Sequence, residues 1–145
     1  MDRIQRENLQ ENIAIIKINR SYKKYNSKNK NISALELYDI TRGFWKRKLD
    51  SVKCADCVLA VMYGEVKEVY SVDEWLPAEE LNRETIPYNA KVDKERIGFS
   101  GKVALEEMRN KYIGKSVADL YKLGEADPVK LFTKDSLTPN VDDNI

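Results

Sequence analysis

Positive side chains alternate with flat rings in two stretches of this chain, Arg20-Ser21-Tyr22-Lys23-Lys24-Tyr25 and Arg42-Gly43-Phe44-Trp45-Lys46-Arg47-Lys48. Ammonium and guanidinium groups neutralise phosphates, and indole and phenol faces stack on bases, so the pattern suits nucleic acid, a polyanion that carries rings. Between Asn12 and Leu49 ten residues are Lys or Arg, and only Glu36 and Asp39 are acidic. Residues 1–49 carry 12 basic against 5 acidic side chains and residues 50–145 carry 13 against 19, so the formal net charge of +1 conceals halves of +7 and −6. A steering field would come from the front half alone if the two halves occupy different surfaces. The competing reading is a solvated basic face with its aromatics in the core, the ordinary location of charge clusters and large rings.

Other chemistry is narrowed by what the chain lacks. It contains no histidine, which excludes Ser-His-Asp and Cys-His nucleophile systems, His-zinc sites and two-histidine phosphoesterases. Cys54-Ala55-Asp56-Cys57 has the spacing of half a zinc site or of a redox pair. Four-coordinate zinc needs two further ligands, and a redox pair opens a helix, whereas Cys57 opens an apolar strand; these read as incidental or buried thiols. Gly114-Lys115-Ser116 resembles the end of a phosphate-binding loop, but Arg109 stands where that motif requires its first Gly. Glu65-Val66-Lys67 with Asp56 has the composition of a metal-dependent nuclease site. A tight hairpin at about 3.4 Å per residue would hold Asp56 and Glu65 more than about 20 Å apart, too far to share one Mg²⁺. No metal and no cofactor is expected.

The elements that must position the basic stretches follow from pattern. A chain of 145 residues, 42% apolar and 34% charged, fits one globular domain. The expected organisation is a polar segment over 1–12, a single domain over 13–133 and a disordered tail over 134–145. No apolar run approaches the roughly 20 residues of a spanning helix. The opening residues lack the apolar stretch of a secretory signal, so a cytoplasmic location is expected.

The β-branched run from Ile13 to Ile18 reads as a strand. A basic surface loop is expected over Asn19–Asn31, where no apolar period exists. Ser33 and Glu36 form a capping box that starts a helix with Ala34, Leu37, Tyr38, Thr41 and Trp45 on one stripe, ending near Gly43. Cations around its C-terminus are favoured by the helix dipole, which supplies a reason for Arg42 and Lys46 to Lys48 that needs no ligand. Cys57–Tyr63 and Glu65–Val72 flank Gly64 as a hairpin, the first strand buried on both faces. A long acidic connection over Asp73–Glu95, with Trp75 at its mouth, has the length of a lid or binding loop. A strand over Ile97–Val103, a short helix ended by Gly114, a second begun by Ser116 and a last strand over Val129–Thr133 complete the chain. Neighbouring strands without regular helix alternation argue for an α+β fold: a small curled mixed sheet or open β-barrel with about three short helices.

Several stretches together, Ile18-Asn19-Arg20-Ser21-Tyr22, Leu37 through Trp45, the hairpin from Val58 to Trp75, and Gly101-Lys102-Val103 through Ser116, resemble a group of small, largely uncharacterised prokaryotic and phage proteins that occur alone or fused to nuclease domains of the GIY-YIG type. The likeness spans about residues 15 to 133 and is most specific in the block from the helix to Trp45 and the hairpin after it. Tyr112-Ile113-Gly114 does not itself mark such a nuclease, since the companion Gly-Ile-Tyr is missing. The element order is similar to that of the PUA-like (pseudouridine-synthase-associated) barrels, which include readers of RNA and of modified DNA bases. The resemblance implies Arg20, Ser21, Arg42 and Trp45 as a candidate site, with Trp75 beside them. The chain departs from the group in its basic insertion around Lys23–Asn31 and in Asp127, where Asn commonly precedes Pro.

The expectation is a non-catalytic nucleic-acid-binding module that reads a modified or flipped base in a defence or restriction setting, with DNA or RNA as partner, a nuclease as a further one, and no membrane. Its candidate residues are Arg20, Ser21, Tyr22, Arg42, Trp45, Lys46, Arg47 and Trp75. Phosphates would lie along Lys17, Arg20, Lys23, Lys24 and Lys46 to Lys48, and a ring would enter between Trp45 and Trp75, near Arg42 and Tyr63. The alternatives are a small protein that binds a nucleotide or other anion beneath the acidic loop as a lid, a metal-dependent nuclease, and a module whose basic face docks an acidic protein.

Overall fold

A computed structural model describes residues 1–25 and 32–133. The expected tail and the later part of the expected basic loop lie outside the described residues. Five strands, β1 (Ile13–Lys17), β2 (Cys57–Met62), β3 (Glu65–Pro77), β4 (Ile97–Val103) and β5 (Val129–Phe132), form one mixed sheet in the order β4-β3-β2-β1-β5. β1 and β2 run parallel, Ile13 opposite Cys57 and Lys17 opposite Val61, and every other pairing is antiparallel. A parallel pair cannot be joined by a tight turn. The chain therefore crosses over through α1 (Asn19–Tyr25), α2 (Ala34–Arg42) and α3 (Leu49–Val52) before β2. Two further short helices, α4 (Ala90–Asp93) and α5 (Glu106–Tyr112), flank β4 in sequence. The fold is α+β around a mixed sheet that does not close, with five α-helices among the described residues where about three were expected.

The central strands are apolar on both sides because both sides are covered. Alternation sends Ala14, Ile16, Val58 and Ala60 to one face, where they meet Ile40 of α2, Val52 of α3 and both tryptophans. Ile13, Ile15, Leu59 and Val61 point to the other, against Tyr112 of α5, Val117 and Leu120. The opening segment contributes here too: Ile4 and Leu9, either side of a 3₁₀ turn at Arg6–Asn8, are each 2% exposed. That segment, polar by composition, thus lies against the sheet by its two apolar residues.

Four local expectations change. Asn19–Tyr25 is helical instead of a loop, seeded where the Tyr22 N–H donates to the Ile18 carbonyl at 2.8 Å. The capping box forms as read, Ser33 Oγ accepting from the Glu36 N–H, but α2 stops at Arg42 and does not reach Trp45. Trp45 instead exchanges backbone hydrogen bonds with Ile97 at 2.8 and 3.0 Å, adding one residue to the outer edge of β4. Third, β3 runs on to Pro77 and takes Trp75 into the sheet, which shortens the acidic connection. Last, the helix expected at Ser116 is one 3₁₀ turn, Ala118–Leu120.

Gly98 explains how the end of α2 can sit on β4: a Cβ there would collide with the Arg42 carbonyl oxygen and with the Leu81 side chain. Further along the same edge, the Tyr38 hydroxyl donates to the Gly101 carbonyl and accepts from its N–H, both at 2.8 Å. No helix among the described residues is long and apolar enough to cross a membrane.

Candidate functional site

The Trp45–Ile97 bridge sets the segment after α2 beside the segment before β4, and both are basic. Two adjoining hollows result. The first, of about 590 Å³, is bounded by the end of β1, the start of α1 and the turn before β5, and carries Lys17, Arg20, Lys46, Arg47 and Arg96 against one carboxylate, Asp127. The second, of about 570 Å³, carries Lys46, Arg47, Lys48, Lys94 and Arg96 against Glu95. Lys46, Arg47 and Arg96 border both, so seven cations and two carboxylates line a cleft of two hollows that share one wall. Such clustering raises local anion concentration, and low-dielectric walls focus the field.

The cations are held to different degrees. Arg47 is the most fixed, its Nη1 donating to Asp127 Oδ2 at 3.0 Å and to the Val129 carbonyl at 2.8 Å. Lys17 Nζ lies 3.9 Å from the centre of the Tyr121 ring. Arg96 donates from Nη1 to the Phe44 carbonyl at 3.3 Å, while its Nε is buried without a hydrogen-bond partner. An unsatisfied buried donor on a charged group is costly unless an acceptor arrives. Arg20, Lys46, Lys48 and Lys94 are exposed.

Of the residues marked in the sequence, Arg20, Ser21, Trp45, Lys46 and Arg47 all line the first hollow. Tyr22, half-buried on α1, does not. Arg42 and Trp75 line neither hollow. Arg42 is 7% exposed; its Nε donates to Asp39 Oδ1 at 2.8 Å and its Nη2 to the Asn82 carbonyl at 2.6 Å. Asp39, fully buried, also accepts from the Thr85 N–H and Oγ1, each at 2.7 Å. This buried pair therefore fastens the connection between β3 and β4. Arg83 adds a second tie, stacking 3.8 Å from the Phe44 ring centre and donating to the Gly43 carbonyl at 2.7 Å. A segment held at Asn82, Arg83 and Thr85 is a strap across α2, not the free lid expected of a long acidic loop.

Trp75 is 7% exposed, gives its indole N–H to the Ala55 carbonyl at 2.7 Å and packs 5.3 Å from the Phe99 ring. Trp45 is 9% exposed, and its N–H goes to the Thr41 carbonyl at 2.9 Å. Both indoles thus have their polar handle satisfied and their faces packed, the usual state of a buried Trp. Lys94 and Arg96 were missed because they sit in a segment whose acids mask them in any charge count. The signal available was their position immediately before β4.

Asp56 and Glu65 lie at opposite ends of the β2–β3 hairpin, beside the Cys57–Ser71 and Met62–Glu65 pairs respectively. Among the described residues no three His, Cys, Asp or Glu side chains are grouped closely enough to hold a metal ion. Burial, with Glu11 and Asp56 adding to it, pushes the Cys57 thiol up to about 12, whereas Cys54 is exposed, and neither forms a disulfide. A thiol so raised is neither nucleophile nor ready metal ligand.

Fold and cleft together define an α+β protein with a cation-lined groove at one end of an open sheet. Compared with known proteins, the chain matches no protein-family model, no curated protein and no solved structure at a significant level.

Proposed function

We propose that this chain is a non-catalytic nucleic-acid-binding module that holds the phosphates of DNA or RNA in its basic cleft. The observation that carries this reading is the convergence of seven cations from β1, α1, the post-α2 segment and the pre-β4 segment on two hollows that share a wall, with only two carboxylates lining them. Arg47 already pairs with Asp127 and Lys17 rests on Tyr121, so Arg20, Lys46, Lys48, Lys94 and Arg96 are the five that would face phosphates. The order of elements in the sequence resembles that of the PUA-like barrels, and the nucleic-acid readers of that class, in a defence setting with a nuclease partner, are the precedent extended here. In this proposal Arg42 and Trp75 serve the fold, and the flipped base between two tryptophans is given up.

The test is oligonucleotide binding by fluorescence anisotropy across a salt series. Five phosphate contacts predict a slope in log K against log salt of about −4.5 on duplex DNA or about −3.5 on a single strand, so affinity falls about 500-fold or about 130-fold from 50 to 200 mM. Charge reversal at Lys46 and Lys48 should flatten that slope by about two contacts. Failure to bind any DNA or RNA at low salt refutes the reading. The size of the first hollow, about 590 Å³, favours one alternative, a mononucleotide site; full competition by a free nucleotide at low excess would select it.

A further inference from the structure

The tip of the β2–β3 hairpin is built against local preference. Two-residue turns with positive φ at both positions are ordinarily Asn-Gly, since Gly and Asn tolerate that region and bulky side chains do not. Here the first residue is Tyr63, at φ 50°, followed by Gly64 at 81°. The ring gains nothing from the core: Tyr63 is 64% exposed. A bulky residue held in an unfavourable backbone region, with no packing return, is where function is first sought.

The tip is also rigid and well placed. The Tyr63 N–H donates to Asn19 Oδ1 at 2.9 Å, and the Gly64 carbonyl accepts from the Val117 N–H at 2.9 Å. Asn19 and Arg20 of α1 form one wall of the basic cleft, so the ring stands beside that wall. One turn along α1, Lys23 Nζ lies 5.6 Å from the ring centre. A fixed, exposed phenol face flanked by a cation is what an unpaired base needs: stacking from the ring, and charge for the phosphate next to it.

We propose that Tyr63 is a stacking platform for an unpaired base of the strand whose phosphates occupy the cleft, which makes single-stranded nucleic acid the ligand class. This rests on the nucleic-acid reading of the cleft. Bases inside a duplex already have both faces stacked and offer none to the ring.

The experiment compares single-stranded and duplex oligonucleotides of one sequence against the wild-type chain, Tyr63→Asn and Tyr63→Trp. Asn suits positive φ, so Tyr63→Asn should melt no lower than wild type. It should weaken single-strand binding about tenfold, the scale of one lost base stack, and change duplex binding less than about twofold. Tyr63→Trp should keep the single-strand affinity and show indole quenching on binding. Undiminished single-strand binding by Tyr63→Asn overturns the proposal, as does a wild-type preference for duplex, which leaves the cleft reading standing. A wild-type chain that binds neither form overturns both.

Discussion

Asp39→Ala tests whether Arg42 serves the fold or the ligand. The substitution removes the acceptor of three hydrogen bonds, from Arg42 Nε, the Thr85 N–H and Thr85 Oγ1. It leaves a guanidinium whose side chain is only 8% exposed without its carboxylate. Breaking a buried ion pair from one side costs about 3–5 kcal/mol, because the surviving charge stays desolvated. At about 2.1 cal/mol/K per residue, a chain of 145 residues unfolds with an entropy of about 0.3 kcal/mol/K. A loss of about 3–5 kcal/mol then lowers Tm by about 10–16 °C. Asp39→Leu combined with Arg42→Met removes both charges while roughly keeping volume, and should recover most of that loss. Thermal and urea denaturation of the three proteins measures it. The Arg42→Met change should also leave the salt slope of oligonucleotide binding untouched, since Arg42 lies outside the cleft. A loss below about 1 kcal/mol for Asp39→Ala, the range of an exposed pair, or a double variant no more stable than the single, would refute this reasoning.

Two further outcomes are open to simple measurement. With Cys54 exposed and Cys57 buried and pushed up to about 12, a thiol reagent at neutral pH should modify one cysteine in the folded protein and both in denaturant; two rapid equivalents without denaturant would contradict the burial. Acid stability follows from Glu125 and Asp119. Hydrogen bonds from Lys130 hold the Glu125 carboxyl below its ordinary range, and those from Gln5 and then Arg3 do the same for Asp119. A carboxyl lowered by folding contributes above its unfolded value, and that contribution disappears as pH falls through the folded one. Tm should therefore hold from neutrality to about pH 5 and decline below it, and Glu125→Gln or Asp119→Asn should make the decline shallower; an unchanged acid slope in either variant rules that group out.

What the sequence disclosed depended on how local the cause was. β1 and β2 were legible because β-branched runs buried on both faces leave no alternative, and the start of α2 was legible because a capping box is complete within four residues. Where tertiary contacts decide, reading failed. The chain over Asn19–Tyr25 has no apolar period, yet it is helical because the Ile18 carbonyl and the crossover geometry start it. Trp45 continues the helical stripe in sequence but is claimed by Ile97, more than fifty positions away. The site divided in the same way. The front-half cations Arg20, Lys46 and Arg47 do meet, but their companions Lys94 and Arg96 come from a distant segment that only the pairing at Trp45 brings near. Whether an arginine or an indole faces solvent or a buried partner, as with Arg42 and Trp75, depends on residues such as Asp39 and Ala55 whose proximity no spacing rule encodes.

The phenol of Tyr38 on Gly101 reaches past local stability. An outer strand offers its free amide and carbonyl to any extended peptide, and such offers lead to fibrils or to partners docking by strand addition. On β4 the backbone of Ile97 is engaged by Trp45, and both polar groups of Gly101 are consumed by a single hydroxyl. A newcomer would have to evict both at once. Growth of the sheet on this flank is thereby discouraged, and Tyr38→Phe, which vacates one of the two stations while keeping the ring, is the lesion through which self-association would first enter.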